Sequence, residues 1–289
     1  ICASKGLHPM IVSPIVRSFA ICSLLQSSIS GYLSNQIVSS ISKSNNTNRR
    51  VDHFGQFTKL SLTTTSSTME TTINSYPELV VFDLDACFWD QEMFEMPSIP
   101  TSTDIILGDL NGRGEGVIGV YSGGHRISLH DGSLQALQDH ADHPQRYPNM
   151  KIAFASSADT PFAEKIGRAT LQLLEVLPNL SVWDLVVGRD WNGVDINQIG
   201  RQPPLLSPNK AKSHFPRLRE LTGIRYDRML FFDDCNWGDH CGMVSAGCRE
   251  ADTQLGPVTI RTPRGLGRKE WQQGLDAYAA HIEAWKQIH

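Results

Sequence analysis

Two aspartates two residues apart, Asp83 and Asp85, follow the apolar run Leu79–Phe82 in Val80-Val81-Phe82-Asp83-Leu84-Asp85-Ala86-Cys87. A short apolar run of this kind reads as a strand buried on both faces. In an open parallel sheet such a strand delivers its last residues to the carboxyl edge, where sites form. The chain leaves the strand there, so the two carboxylates need not alternate and can face one pocket. Like charges this close repel, and burial raises the cost. A divalent cation relieves both effects, and oxygen-only ligands favour Mg²⁺. The structural alternative is a carboxylate pair in a strand-end turn that caps the next segment.

Two further apolar runs end in polar groups. Lys151–Ala155 leads into Ser156-Ser157-Ala158-Asp159, and Met229–Phe232 leads into Asp233-Asp234. Lys210 and Lys212 precede a helical stretch between them. If these strands are parallel neighbours, one sheet edge gathers a nucleophile, a second carboxylate, a hydroxyl, an ammonium and metal ligands. That inventory suits phosphoryl transfer, which depends on positioning and charge neutralisation. Taken singly, Ser156 reads as a turn residue, the lysines as solvated surface, and Asp233-Asp234 as a cap. The four groups in this order argue for a site.

The elements that must carry these residues alternate between strand and helix patterns. Phe88–Thr103 mixes acids, aromatics and prolines without a period and reads as an irregular loop. Gly114-Glu115-Gly116-Val117-Ile118-Gly119 matches a dinucleotide fingerprint in spelling. It is followed by a strand and a turn, however, not by the helix N-terminus that a pyrophosphate needs. Ile118–Tyr121 and His125–Leu129, joined across Ser122-Gly123-Gly124, are expected to form a β-hairpin. A helix is expected over Asp131–His140. Thr160 and Pro161 supply an N-cap and first turn for a helix with Ile166, Ala169, Leu173, Leu174 and Leu177 on one face. Val182–Val187 is expected as a strand. A helix capped by Ser213 holds Pro216 in its first turn, turns Phe215, Leu218 and Leu221 inward, and stops at Gly223. A segment from Trp237 to Ala246, a strand at Val258–Ile260 and an amphipathic helix through Trp271, Leu275, Tyr278, Ile282 and Trp285 complete the chain. The expected fold is a mainly parallel three-layer α/β/α sheet of Rossmann-like type over residues 78–289. The region about 88–130 is inserted after the first strand.

Composition narrows the function class. At 289 residues and 40% apolar content the chain can bury a sizeable core, and its net charge of −4 gives no pull toward nucleic acid or an anionic membrane. No apolar run approaches the roughly 20 residues of a membrane span. Residues 1–68 carry six Lys or Arg against one acid, Asp52, in a Ser-, Thr- and Asn-rich background. This suits a disordered leader: a transit peptide pointing to an organelle, or an upstream extension with a cytoplasmic start at Met69. The six cysteines form no CxxC pair, which argues against a zinc site or a disulfide framework. Cys87 and Cys235 each flank an acidic motif and could share a site, though most buried cysteines are small hydrophobes. His125, His130, His140, His143, His214 and His240 show no metal-ligand spacing and read as structural or exposed. Arg189, Asp190 and Trp191 are candidates for the mouth of the site.

The order DxD, Ser, Lys, DD resembles the haloacid dehalogenase (HAD) superfamily of phosphatases, and within it the magnesium-dependent phosphatase-1 group. The likeness runs through Val81-Phe82-Asp83-Leu84-Asp85, Trp89, Ala155-Ser156, His214-Phe215-Pro216-Arg217-Leu218, Thr222-Gly223-Ile224 and Met229–Asp234. It implies that Asp83 attacks phosphorus to form an aspartyl phosphate, and that Asp85 protonates the leaving oxygen and then activates water. Ser156, with Ser157 beside it, would hold a phosphate oxygen, and Lys210 or Lys212 would neutralise charge. Mg²⁺ would bind Asp83, the Asp85 carbonyl and Asp233 or Asp234. The implied cap is minimal, built from the hairpin region, and leaves the site open to a phosphorylated small molecule or a phosphoprotein. Sugar phosphates and phosphotyrosine are both permitted. Two positions depart from the family: Cys87 stands where Thr or Val is usual, and Ala211 where the lysine is usual. Lys210, just outside the helix start, is the favoured substitute. A phosphotransferase using the same intermediate and a weakly catalytic binding protein are the alternatives.

Overall fold

The computed structural model describes residues 74–158, 160–200 and 206–288; the leader expected over residues 1–68 lies outside them. In chain order the strands are β1 (Leu79–Phe82), β2 (Ile105–Asp109), β3 (Glu115–Ser122), β4 (His125–Ile127), β5 (Lys151–Ser156), β6 (Glu175–Leu177), β7 (Leu180–Ser181), β8 (Gln198–Ile199), β9 (Met229–Asp233) and β10 (Val258–Arg261). The helices are α1 (Asp131–Asp142), α2 (Pro161–Leu173), α3 (His214–Thr222), α4 (His240–Gly247) and α5 (Arg268–Ile288).

The main sheet has the order β10-β9-β1-β5-β8, and every pairing in it is parallel. β1 lies at its centre, fully buried along its length. Alternation then divides the core. Val80 and Phe82 pack with Ile152, Phe154, Leu230 and Phe232 in a cluster that also holds α1, α2 and α5 residues such as Leu137, Ile166 and Trp271. Leu79 and Val81 pack on the opposite face with Ala153, Ala155 and Phe231, against Phe215 and Leu218 of α3 and Val244 of α4. The result is the expected three-layer α/β/α arrangement with a mainly parallel sheet.

Register makes the site. Phe82 lies opposite both Phe154 and Phe232, so the residues that follow each strand emerge at one level of one edge. Asp83 N–H still donates to Phe232 O at 2.9 Å, which carries the pairing one step beyond the strand.

Between β1 and α1 the chain builds a separate antiparallel sheet, β2-β3-β4. The β3–β4 hairpin matches the sequence reading, and Gly114–Gly119 runs into and along β3 rather than opening a helix. β2 was not anticipated, although Asn111 and Gly112, with φ of 57° and 77°, form the Asn-Gly turn that joins it to β3. Gln138 of α1 ties this sheet to the core, its amide donating to Leu110 O and Val176 O at 3.0 Å each.

Three local expectations fail for identifiable reasons. Val182–Val187 is not a strand: Asp184–Asp190 forms a wide π-type helical turn. Ser181 Oγ accepts from Asp184 N at 3.0 Å and donates to Asp184 Oδ2 at 2.8 Å, a reciprocal cap that starts a helix. The edge of the sheet is taken instead by β8. The face expected for α2 is also displaced. The helix stops at Leu173, and Leu174 and Leu177 pass into the β6–β7 hairpin, which turns at Pro178-Asn179 with Asn179 at φ 64°. Its buried positions are Ala163, Ile166, Gly167, Thr170 and Leu171. On α3, Phe215 and Leu218 are buried, but Leu221 is 48% exposed in the last turn, one residue before the helix ends at Thr222 and the chain turns left-handed at Gly223. No helix among the described residues is long and apolar enough to cross a membrane.

Candidate active site

Asp83 and Asp85 leave β1 in a tight turn in which Phe88 N–H donates to Leu84 O at 2.9 Å and Ala86 takes a φ of 52°. The loop after β9 is built alike, with Cys235 at φ 59° directly after Asp234. Left-handed backbone at a residue with a side chain is costly and is held here by surrounding contacts. In the second loop those contacts are the carboxylates themselves: Cys235 N–H donates to Asp233 Oδ1 at 2.8 Å and Asn236 N–H to Asp234 Oδ2 at 2.9 Å. Each aspartate is thereby aimed by the loop it begins.

The lysine arrives from a short 3-10 turn over Lys210–Lys212, capped by Asn209 Oδ1, which accepts from Ala211 N at 3.0 Å. Lys210 is fully buried. Its Nζ lies 2.7 Å from Asp83 Oδ1 and 2.6 Å from Asp233 Oδ2. Ala211 packs toward α4, beside Gly247, and Lys212 is exposed. The 3-10 turn thus sends Lys210 inward, and the structure does not bring Lys212 to the cluster.

A pocket of about 380 Å³ is lined by Asp83, Asp85, Ser156, Ser157, Lys210 and Asp234, together with Glu92, His240 and the exposed rings of Phe94 and Trp237. Ser156 is buried at the end of β5, and its carbonyl accepts from His214 Nε2 at 3.2 Å and from Gly200 N at 3.1 Å. Ser157 is half-buried beside it. Asp85 Oδ1 accepts from Trp89 Nε1 at 3.1 Å.

The electrostatics follow from burial and charge count. Burial pushes the Asp85 carboxyl up to about 7, against the opposing pull of the Trp89 indole. Burial likewise drives Asp83 well above the usual carboxylate range; Lys210 opposes this, while Asp233 and Asp85 add to it. For Asp233 burial acts in the same upward sense, but Lys210 and His240 overcome it and hold this carboxyl below its ordinary value. Lys210 is shifted upward overall, because its two carboxylate partners outweigh the burial that would neutralise it. Burial, with Lys210 nearby, lowers His214 to about 3, so this histidine is neutral.

Asp83, Asp233 and Asp234 present oxygens that all lie within 4.8 Å of one another, and all three residues are buried. The ammonium of Lys210 faces two of them, and His240 Nδ1 lies 3.2 Å from Asp233 Oδ2. When all three are ionised, three carboxylates against one permanent positive charge leave an excess that a divalent cation would balance. An oxygen-only donor set suits Mg²⁺. Asp85 lies outside this trio of side chains.

Several expected or unexpected neighbours are now placed. Asp190 is buried against His140, with Nε2 2.8 Å from Oδ1, and Arg189 donates to Ala141 O, so this group supports the core instead of the mouth. Cys87 is buried and accepts from Thr262 Oγ1 at 3.2 Å, whereas Cys235 has the Cys241 thiol as its hydrogen-bonding neighbour. Sequence reasoning missed His240, Glu92, Phe94 and Trp237. The signal available was weak: exposed aromatics and acids close in sequence to the two acidic motifs.

Fold and site together define an α/β protein with a cluster of buried carboxylates and one buried lysine at the carboxyl edge of its parallel sheet. The chain belongs to the acid phosphatase family, whose pattern it matches over residues 75–281, within the HAD superfamily of phosphatases. No curated protein matches it. Among solved structures it is similar to the N-terminal part of a Bacteroides fragilis protein, described as containing a phosphatase domain complexed with Mg. That likeness has 13% identity and a TM-score of 0.39, and covers 71% of this chain and 40% of the other.

Proposed function

We propose that this phosphatase hydrolyses phosphomonoesters through covalent catalysis by Asp83 with Mg²⁺ bound, as in the magnesium-dependent phosphatase-1 group it resembles. The observation that carries the reading is the juxtaposition at the pocket floor: Asp83 held 2.7 Å from the Lys210 ammonium, in the pocket that Asp85 and Ser156 also line. Asp83 attacks phosphorus as the ester oxygen departs, giving an aspartyl phosphate. Asp85 gives its proton to that departing oxygen. It then takes a proton from the water that attacks the acyl phosphate, restoring Asp83 and releasing phosphate. A carboxyl raised to about 7 is suited to both transfers near neutrality. Ser156, with Ser157, orients the phosphoryl oxygens, and Lys210 offsets the charge that builds on them.

Mg²⁺ would be held by Asp83, Asp234 and the Asp85 carbonyl, and when bound it supplies charge neutralisation to the transferring group. Asp234 is the better direct ligand of the acidic pair. Asp233 already receives Lys210, His240 and the Cys235 N–H, and it does not line the pocket. We assign Asp233 to positioning Lys210, and Lys212 to the surface.

Hydrolysis of para-nitrophenyl phosphate by the full chain, with Mg²⁺, with chelator and as Asp83→Asn, tests the reading. Turnover abolished in both controls is the expected result; Asp83→Asn retaining wild-type turnover would overturn the nucleophile.

A further inference from the structure

We propose that Trp237 and Phe94, with Glu92, form a leaving-group subsite selecting phosphomonoesters whose alcohol is a flat ring bearing no anion. The inference rests on the phosphatase reading and specifies the substrate class of that site. Trp237 is 75% exposed and Phe94 49% exposed, although both are large apolar rings lining the pocket that holds Asp83 and Asp85. Their centroids are 6.1 Å apart and the planes nearly perpendicular, at 79°. Such an edge-to-face pair leaves ring surface free to receive another ring.

Each ring has its own anchor. Met93, next to Phe94, is buried against Gly167 of α2, where a Cβ on the glycine would collide with the Met93 sulfur. That anchor turns Phe94 outward from the short 3-10 turn Met93–Glu95. Trp237 is tethered across the rim by its indole Nε1–H, which donates to Glu92 Oε1 at 3.1 Å. The tether holds the ring at the mouth between two loops far apart in sequence.

Charge supplies the second criterion. Glu92, Asp85 and Asp234 all line the pocket, while the Lys210 ammonium is engaged by Asp83 and Asp233. Among the described residues that line the pocket, Lys210 is the one lysine or arginine, so a leaving group carrying its own carboxylate or phosphate would meet Glu92 with no second such cation beside it. A neutral or cationic ring would not. A polyol has no face to stack and forgoes the aromatic contact.

The test compares kcat/KM of the full chain with Mg²⁺ on phenyl, aminomethylphenyl, carboxyphenyl and glycerol phosphates. Each substrate is referred to itself across variants, so leaving-group reactivity cancels. Trp237→Ala is expected to lower the phenyl-to-glycerol ratio roughly 2- to 10-fold, the worth of one aromatic contact, and Trp237→Phe, which keeps a ring but loses the tether to Glu92, to recover part of it. Glu92→Gln is expected to raise the carboxyphenyl-to-aminomethylphenyl ratio severalfold. Ratios unmoved by Trp237→Ala or by Glu92→Gln would overturn the subsite. Should the wild type turn over none of the four, the phosphatase reading fails, and quenching of tryptophan fluorescence by phenylphosphonate judges the subsite separately. Quenching lost in Trp237→Ala supports the subsite; quenching retained there, or absent from the wild type, overturns it.

Discussion

Replacing Lys210 by Met tests the floor of the site most sharply, since the change keeps most of the side-chain volume and removes only the charge. Nζ lies 2.7 Å and 2.6 Å from two buried carboxylates. At an effective dielectric constant near 20 each contact has a gross attraction of about 6 kcal/mol. Much of that is offset by desolvating the ammonium. Removing one partner of a buried ion pair costs about 3–5 kcal/mol net, because the remaining charge is left uncompensated. Lys210→Met is therefore expected to lose about 3–5 kcal/mol in chemical denaturation at neutral pH without Mg²⁺. The sign with pH is fixed by Asp233, whose folded value lies below its unfolded one. Its pairing contributes stability above roughly pH 4 and loses it as the carboxyl protonates, so the gap between wild type and variant narrows in acid. In initial rates on para-nitrophenyl phosphate, losing one charge-stabilising donor is expected to cut kcat roughly 10²- to 10³-fold. The exposed Lys212→Met is expected to change stability by less than about 0.5 kcal/mol. A Lys210→Met enzyme within threefold of the wild-type rate, or a larger loss in Lys212→Met, would refute the reasoning.

Asp85 must be protonated to aid the departing oxygen, so kcat on a poor leaving group such as an alkyl phosphate should fall above about pH 7. Asp85→Asn should flatten that limb of the profile while lowering the rate. His214 is buried with a folded value of about 3, so the unfolded chain takes up a proton that the folded chain refuses. Stability should then fall as pH drops below about 6.5, by up to about 1.4 kcal/mol per unit, and His214→Gln should lose this slope in denaturation curves taken at pH 6 and pH 4.5. Gly223 ends α3 at φ 70° with open space around it, so Gly223→Ala should cost about 1 kcal/mol through backbone strain alone, seen as a lower midpoint at unchanged m-value.

The parts of this fold legible in the sequence were those written in a single strong period or a single capping residue. β1, β5 and β9 are apolar runs with no competing reading, and Thr160-Pro161 and Gly223 mark helix ends by chemistry that few other residues supply. The convergence of Asp83, Ser156 and Asp233 follows from those strands being parallel neighbours. What stayed hidden depended on three-dimensional neighbours. Val182–Val187 is apolar enough for a strand, and only the reciprocal cap at Ser181 and Asp184 turns it helical. The choice between Lys210 and Lys212 rests on the pitch of a three-residue 3-10 turn, which a lysine-alanine-lysine sequence does not disclose. His240 and Trp237 come to line the pocket because the loop after β9 bends back on Asp233 and Asp234, and nothing periodic announces that bend.

The most direct test of the account is to trap the covalent step. Asp85→Asn mixed with radiolabelled para-nitrophenyl phosphate and Mg²⁺ should release a burst of nitrophenol approaching one per chain, because that leaving group needs little acid assistance whereas hydrolysis of the acyl phosphate still needs a base. The label should be stable in acid, labile to hydroxylamine, and carried by the peptide containing Asp83. Folded protein that gives no burst and no label, or a label on any other residue, would contradict Asp83 as the nucleophile.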